Sequence, residues 1–112
     1  IFITVIGAGD SLAAAPLPAR RALKEVIELK TRAEDHLKAS GLDYTIIRPG
    51  GLSHRGATGQ AFLAADPEAF SYISRKDLAA LSVAALGDQS TIGKTYAAYD
   101  PTRKTLWKMF ND

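Results

Sequence analysis

Lys30 is the residue most in need of a chemical reason. Leu23, Val26, Ile27, Ala33 and Leu37 recur at the three-and-four spacing of an apolar helical stripe, and Lys30 sits in the middle of it. A cation there either snorkels, with its stem packed and its ammonium in water, or serves a bound group. Arg48-Pro49-Gly50-Gly51-Leu52 offers a second kind of chemistry. Arg48 could hold a phosphate or a carboxylate, or be tied to a backbone carbonyl or to an acid such as Asp77. The glycines leave the backbone bare, which suits close approach of a ligand. Gly7-Ala8-Gly9 follows a strand-like run, as a dinucleotide-binding turn does, but the third glycine of that pattern would fall at Leu12. Pro16 and Pro18 also interrupt the helix that should aim its amino end at a pyrophosphate, which leaves a flexible loop from Ala8 to Leu17 as the plainer reading.

Other titratable groups carry less. His54 lies in a loop where it could meet a substrate, whereas His36 falls on the charged side of a helix and is solvated. Glu34 and Asp35 are adjacent helical positions pointing about 100° apart, so they are no catalytic carboxylate pair. Two distant histidines without a cysteine make no recognisable metal site.

The elements that must position these residues follow from local signals. Ile1 to Ile6 is a β-branched run ended by Gly7, as expected of a buried strand. Pro18 suits a first helical turn, and the spacing predicts one helix from about 18 to 40, ended by Gly41 in the left-handed conformation. Tyr44-Thr45-Ile46-Ile47 is a short strand covered on both faces, and Pro49 should end it at Arg48. Ser53 to Phe70 reads as a long functional or mobile connection, and residues 71–74 as a short strand. Ser74-x-x-Asp77 is a capping box opening a helix over about 75–87, and residues 94–99 form a last strand. Leu106 to Phe110 suggests a short terminal helix bearing aromatics. The fold class is therefore α/β: a partial doubly wound, Rossmann-like parallel sheet of strands near 1–6, 43–48, 71–74 and 94–99 with flanking helices.

Composition limits the function classes. The 112 residues make a single domain, 1–112, with 46% hydrophobic and 23% charged residues, which is the balance of a globular chain rather than a disordered one. No cysteine is present, so thiolate chemistry is excluded and any redox work needs a bound cofactor. A formal charge of +2 from well-mixed charges gives no nucleic-acid footprint, and no apolar run is long enough for a membrane span; a cytoplasmic location is the expectation. The chain opens on Ile1 with about four candidate strands where a doubly wound sheet needs about five, so we expect a piece of a longer protein.

Lys30, Ala33-Glu34, Leu37, the run Ser40-Gly41-Leu42-Asp43-Tyr44-Thr45-Ile46-Ile47-Arg48-Pro49-Gly50-Gly51-Leu52 and Ile73-Ser74-Arg75-Lys76-Asp77-Leu78-Ala79 together resemble the C-terminal half of an atypical short-chain dehydrogenase/reductase. That family comprises NAD(P)-binding Rossmann proteins, some of them reductases or epimerase relatives and some cofactor sensors. The resemblance implies NAD or NADP as cofactor, a nicotinamide-side half-site of Ile6, Gly7, Lys30, Pro49, Gly50, Gly51 and Leu52, and Lys30 as the catalytic-position lysine on the nicotinamide ribose hydroxyls. It also implies that the Ser53 to Phe70 connection closes over cofactor and substrate. Two departures stand out. Val26 occupies the place of the usual tyrosine one turn before the lysine, and Ile6-Gly7 that of a pair of serines. The function is thus an NAD(P)-binding oxidoreductase-like protein, or a non-catalytic NAD(P)H-sensing regulator or interaction domain. Expected partners are the dinucleotide, a small-molecule substrate, and a second copy through an exposed sheet edge or the C-terminal aromatics.

Overall fold

The computed structural model describes residues 1–105; the terminal aromatic stretch falls outside them. Thr45 to Pro49 form the central strand, β2, and all five residues are buried. β1 (Phe2–Ile3) lies parallel on one side of it with Phe2 opposite Ile46, and the ladder continues past β1 through Thr4 N–H to Ile47 O at 2.9 Å and Ile6 N–H to Pro49 O at 2.8 Å. Pro49 therefore belongs to the strand after all: it lacks a donor, but its carbonyl still accepts. On the other side of β2 lies β6 (Lys94–Tyr99), also parallel, with Ile47 opposite Tyr96.

Between β1 and β2 the predicted single helix is two. α1 (Leu17–Ala22) ends at Leu23, whose φ of −110° and ψ of 18° leave helical geometry, and α2 (Lys24–Ala39) restarts at once. Gly41, at φ +81°, follows the end of α2 as the sequence predicts. The stretch before α1 is not an irregular loop but a 3-10 helix over Gly9–Ala14. Its order comes from Ser11, which accepts from Gly7 N–H at 2.9 Å and donates to Ala8 O at 2.6 Å.

The segment after β2 differs most from expectation. Leu52–Ser53 (β3) pairs in parallel with Ile73–Ser74 (β5) as a separate two-stranded sheet, so the predicted strand near 71–74 exists in shortened form but outside the main sheet. The connection read as loop contains a strand, β4 (Phe62–Ala64), antiparallel to β6, with Phe62 opposite Tyr99 and their rings edge to face at 5.6 Å. The main sheet thus runs β1-β2-β6-β4, three parallel strands closed by one antiparallel edge strand.

Ser74 caps α3 (Arg75–Leu86) by accepting from Asp77 N–H at 3.0 Å, and Leu78 and Ala85 of that helix pack with Ile47, Ile73 and Ala98. Ile47 and Ile73 are fully buried, each contributing about 1.5–3 kcal/mol by leaving water. The opposite face, under the 3-10 segment, is a smaller-residue cluster of Ile6, Ala15 and Ala97. Among the described residues no helix is long and apolar enough to cross a membrane.

Candidate functional site

Alternation along β1 and β2 turns Thr4 and Arg48 toward α2, where both meet Glu34. Arg48 donates from Nε to Glu34 Oε2 at 3.0 Å and from Nη2 to Oε1 at 2.7 Å, the paired geometry that a guanidinium and a carboxylate favour. Thr4 Oγ1 adds a donor to Oε2 at 2.6 Å, and the remaining Arg48 nitrogen, Nη1, donates to Asp10. Glu34 is 1% exposed and Arg48 3%. Burial alone pulls the Arg48 guanidinium down, but hydrogen bonds to Glu34 and Asp10 more than offset it and hold the group above its ordinary value. The hydrogen bond from Arg48 likewise keeps the Asp10 carboxyl below the usual range. Arg48 is therefore tied to Glu34 and Asp10 and not to Asp77, and it binds α2, β1, β2 and the 3-10 segment together. Sequence reasoning said of Glu34 only that it makes no catalytic pair with Asp35, and left its burial unread. The signal was present, since Glu34 lies seven residues after Ile27 and three before Leu37, on the helix line that is buried.

The stripe itself is rotated from the one predicted. Ile27 is buried, while Leu23 and Val26 are 40% and 43% exposed. Lys30 is half-buried, and its ammonium lies 5.7 Å from the centroid of the Phe2 ring, at the start of β1. Ile6 and Gly7 follow the other end of that strand. The Ile6 N–H bond to Pro49 O brings these two segments together at the carboxyl ends of neighbouring parallel strands, the end at which open α/β sheets bind ligands. Lys30 is not joined to them by that bond; its ammonium lies by the opposite end of β1.

The glycines are explained by packing. A Cβ on Gly50 would stand 2.1 Å from Ser71 O, and one on Gly51 2.3 Å from the Tyr72 ring, so the close approach that bare backbone allows is made by the protein's own 70–72 segment. Gly51 O accepts from Ile73 N–H at 2.9 Å, and Leu52 remains 39% exposed. The N–H groups of the Gly7-Ala8-Gly9 turn are spent internally: Gly7 on Ser11 Oγ, Ala8 on Val5 O and Gly9 on Thr31 Oγ1. A pyrophosphate would find no free backbone donors in that turn.

A second polar centre fastens the connection after β3. Asp77 accepts from Thr58 N–H at 2.9 Å, Gly59 N–H at 3.2 Å and Ser74 Oγ at 2.7 Å. Burial works to raise its pKa, but these donors together outweigh burial and hold the carboxyl below its ordinary value. Thr58 Oγ1 also donates to the fully buried Asp100 at 2.6 Å, so one threonine joins the two acids. His54 is exposed beside this loop, 3.4 Å from Arg75 Nη1, and His36 is exposed on α2. Among the described residues no group of three or more His, Cys, Asp or Glu could hold a metal ion.

Comparison with known proteins gives the family and the fold. A protein-family model described as NAD(P)H-binding matches residues 1–89. YhfK of Bacillus subtilis, described as an uncharacterized sugar epimerase, is 43% identical over 75 residues, covering 67% of this chain and 35% of that protein. Among solved structures, ChuY from Escherichia coli CFT073 superposes with a TM-score of 0.84 at 34% identity, over 92% of this chain and 53% of that one. ChuY from Escherichia coli O157:H7, described as an anaerobillin reductase, superposes with a TM-score of 0.81 at 34% identity, over 92% and 50%. The chain thus spans about a third of that curated relative and about half of each of these structures.

Proposed function

Because the chain belongs to the NAD(P)H-binding family of Rossmann-like reductases and epimerase relatives, we propose that it is the nicotinamide-side half of an atypical short-chain dehydrogenase/reductase site. The observation that carries this is the Ile6 N–H to Pro49 O bond, which sets Ile6-Gly7 beside Pro49 to Leu52 at the carboxyl ends of two parallel strands. Lys30 is the remaining group of this proposal, and its side chain has to swing from the Phe2 ring at the start of β1 toward the strand ends to act there. Its ammonium rests on an aromatic face and makes no ion pair among the described residues, so its donors stay available to ribose hydroxyls. The bound dinucleotide would contribute hydride chemistry. The chain's own part is to orient the nicotinamide end and cover it.

A second reading has its own observation. Val26 stands one turn before Lys30 and presents no hydroxyl, so the tyrosine route for moving a proton is missing, and a non-catalytic NAD(P)H-sensing role accounts for retained binding residues without turnover. Self-association is a further part of the proposal. β1 is paired on one side only among the described residues, with Ile1 just before it 45% exposed and Ile3 within it 39% exposed.

The half-site reading is tested by titrating NADPH and NADH into the chain by calorimetry. A few ribose and backbone hydrogen bonds of about 1 kcal/mol each do not offset the roughly 4 kcal/mol or more lost on immobilising a ligand. Affinity in the millimolar range or weaker is expected. Micromolar affinity would show that the chain holds the pyrophosphate as well.

A further inference from the structure

We propose that the half-open cleft between the 7–12 segment, α1 and α2 is the substrate pocket of this site and takes an organic acid with an apolar body. The cavity measures about 550 Å³, within the range of roughly 300–1,000 Å³ common to small-molecule sites. Its wall is apolar where Leu12 and Ile27 meet the bare Cα of Gly7. Gly7 is fixed there by its φ of +112° and by Ile27 Cδ1, which a Cβ would approach to 2.9 Å.

The rim decides the class of ligand. Arg20, Lys24 and Arg32 surround it against one acid, Glu28. Among the described residues none of the three cations makes an ion pair, since both pairs belong to Arg48. Arg20 gives only its Nε, to Ala15 O at 2.8 Å, which steadies the side chain and leaves both terminal nitrogens for a ligand. Thr31, the neutral polar group of the lining, is already committed, accepting from Gly9 N–H at 3.0 Å and donating to Ile27 O at 2.8 Å. The polar recognition left over is therefore cationic, and it surrounds an apolar wall. A neutral apolar compound would use the wall alone, and a cation would meet repulsion. An apolar carboxylate satisfies both parts. Calling the cavity a substrate pocket rests on the dinucleotide reading above, because Gly7 belongs both to its lining and to the strand end assigned to the nicotinamide; the anion preference does not.

The test is a two-dimensional NMR titration of the chain with naphthalene-2-carboxylate and, separately, with the neutral naphthalene-2-carboxamide. The carboxylate is expected to bind about five-fold tighter or more, with shifts centred on the Gly7, Gly9 and Thr31 amides. A chain carrying Arg20→Gln, Lys24→Gln and Arg32→Gln, checked for an otherwise unchanged amide spectrum, should bind the carboxylate no better than the carboxamide. Equal affinity of the parent chain for the two compounds, shifts centred elsewhere, or a charge preference that survives all three substitutions overturns the pocket. Nicotinamide mononucleotide separates the two claims. If it leaves the amides of Ile6, Gly7 and Gly50 to Leu52 unmoved while the carboxylate still binds, the cofactor reading fails and the anion pocket stands; the reverse pattern removes the pocket and keeps the cofactor end.

Discussion

α2 carries charge in two places and treats it in opposite ways. At Glu34 the carboxylate is out of water and every nearby donor is used, by Arg48 twice and by Thr4 once. Two residues earlier Arg32 is exposed, and with Lys24 and Arg20 it stands on a cavity rim that carries one acid, Glu28, and makes no ion pair among the described residues. Both positions read in sequence as charge on a helix. What separates them is the side of the helix that the sheet covers. A charge between α2 and the strands must be paired, because an unpaired one there costs several kcal/mol, whereas a charge on the other side can wait in solvent for a ligand.

The largest blow to this contrast is Glu34→Gln, which keeps the shape and removes the charge. Arg48 would remain buried, facing Asp10 alone, and a loss of about 3–5 kcal/mol in urea unfolding is expected. A loss under about 1 kcal/mol would mean that Arg48 escapes to solvent and that the network is not a structural tie. Asp77→Asn sharpens the contrast with a buried acid held by neutral donors, and a loss of about 1.5 kcal/mol is expected at neutral pH. The sign with pH follows from its depressed pKa. The stabilisation is complete above the unfolded value of 3.8 and drains away as pH falls through the lower folded value. Urea midpoints of the parent chain measured from about pH 6 to about pH 3 should therefore drop more steeply than those of the variant, and parallel curves would show that Asp77 gains nothing from Thr58, Gly59 and Ser74. The smallest effect is expected at the rim, where Arg32→Ala should change stability by no more than about 0.5 kcal/mol. A loss above about 1 kcal/mol would place Arg32 in the paired class and erase the distinction.

Where the deciding interactions are local, the sequence was legible to the residue. Ser74 and Asp77 cap each other across three positions, Gly41 turns at the end of α2, and β6 covers the predicted 94–99. The parallel course of β1, β2 and β6 also followed from the order of elements. Long-range choices were not legible. β4 is built from Phe62-Leu63-Ala64, a run too short to signal a strand until Tyr99 and Ala98 lie opposite it. Ile73-Ser74 has strand propensity but takes Leu52-Ser53 as its partner, a choice that depends on Gly50 and Gly51 letting Ser71 and Tyr72 approach. At the candidate site the turns after the strands were legible from Gly7 and Gly50-Gly51, although β2 runs one residue past its predicted end to take in Pro49. The partners of Arg48 were not, because a count of apolar residues passes over a buried glutamate that shares their face.

The register of the main sheet also sets an order of events during folding. Phe2 pairs with Ile46 and Ile46 with Thr95, so each rung of β2 waits on residues about 45–50 positions away. Closing such spans costs entropy before any rung repays it, so α2 and α3, whose hydrogen bonds are local, form ahead of the strands they cover. Until β6 has been synthesised, the side of β2 that it will cover stays open. During that interval Ile46 and Ile47, which end fully buried, belong to a bare strand edge, and this is the stage at which the nascent chain is most exposed to pairing with another copy of itself.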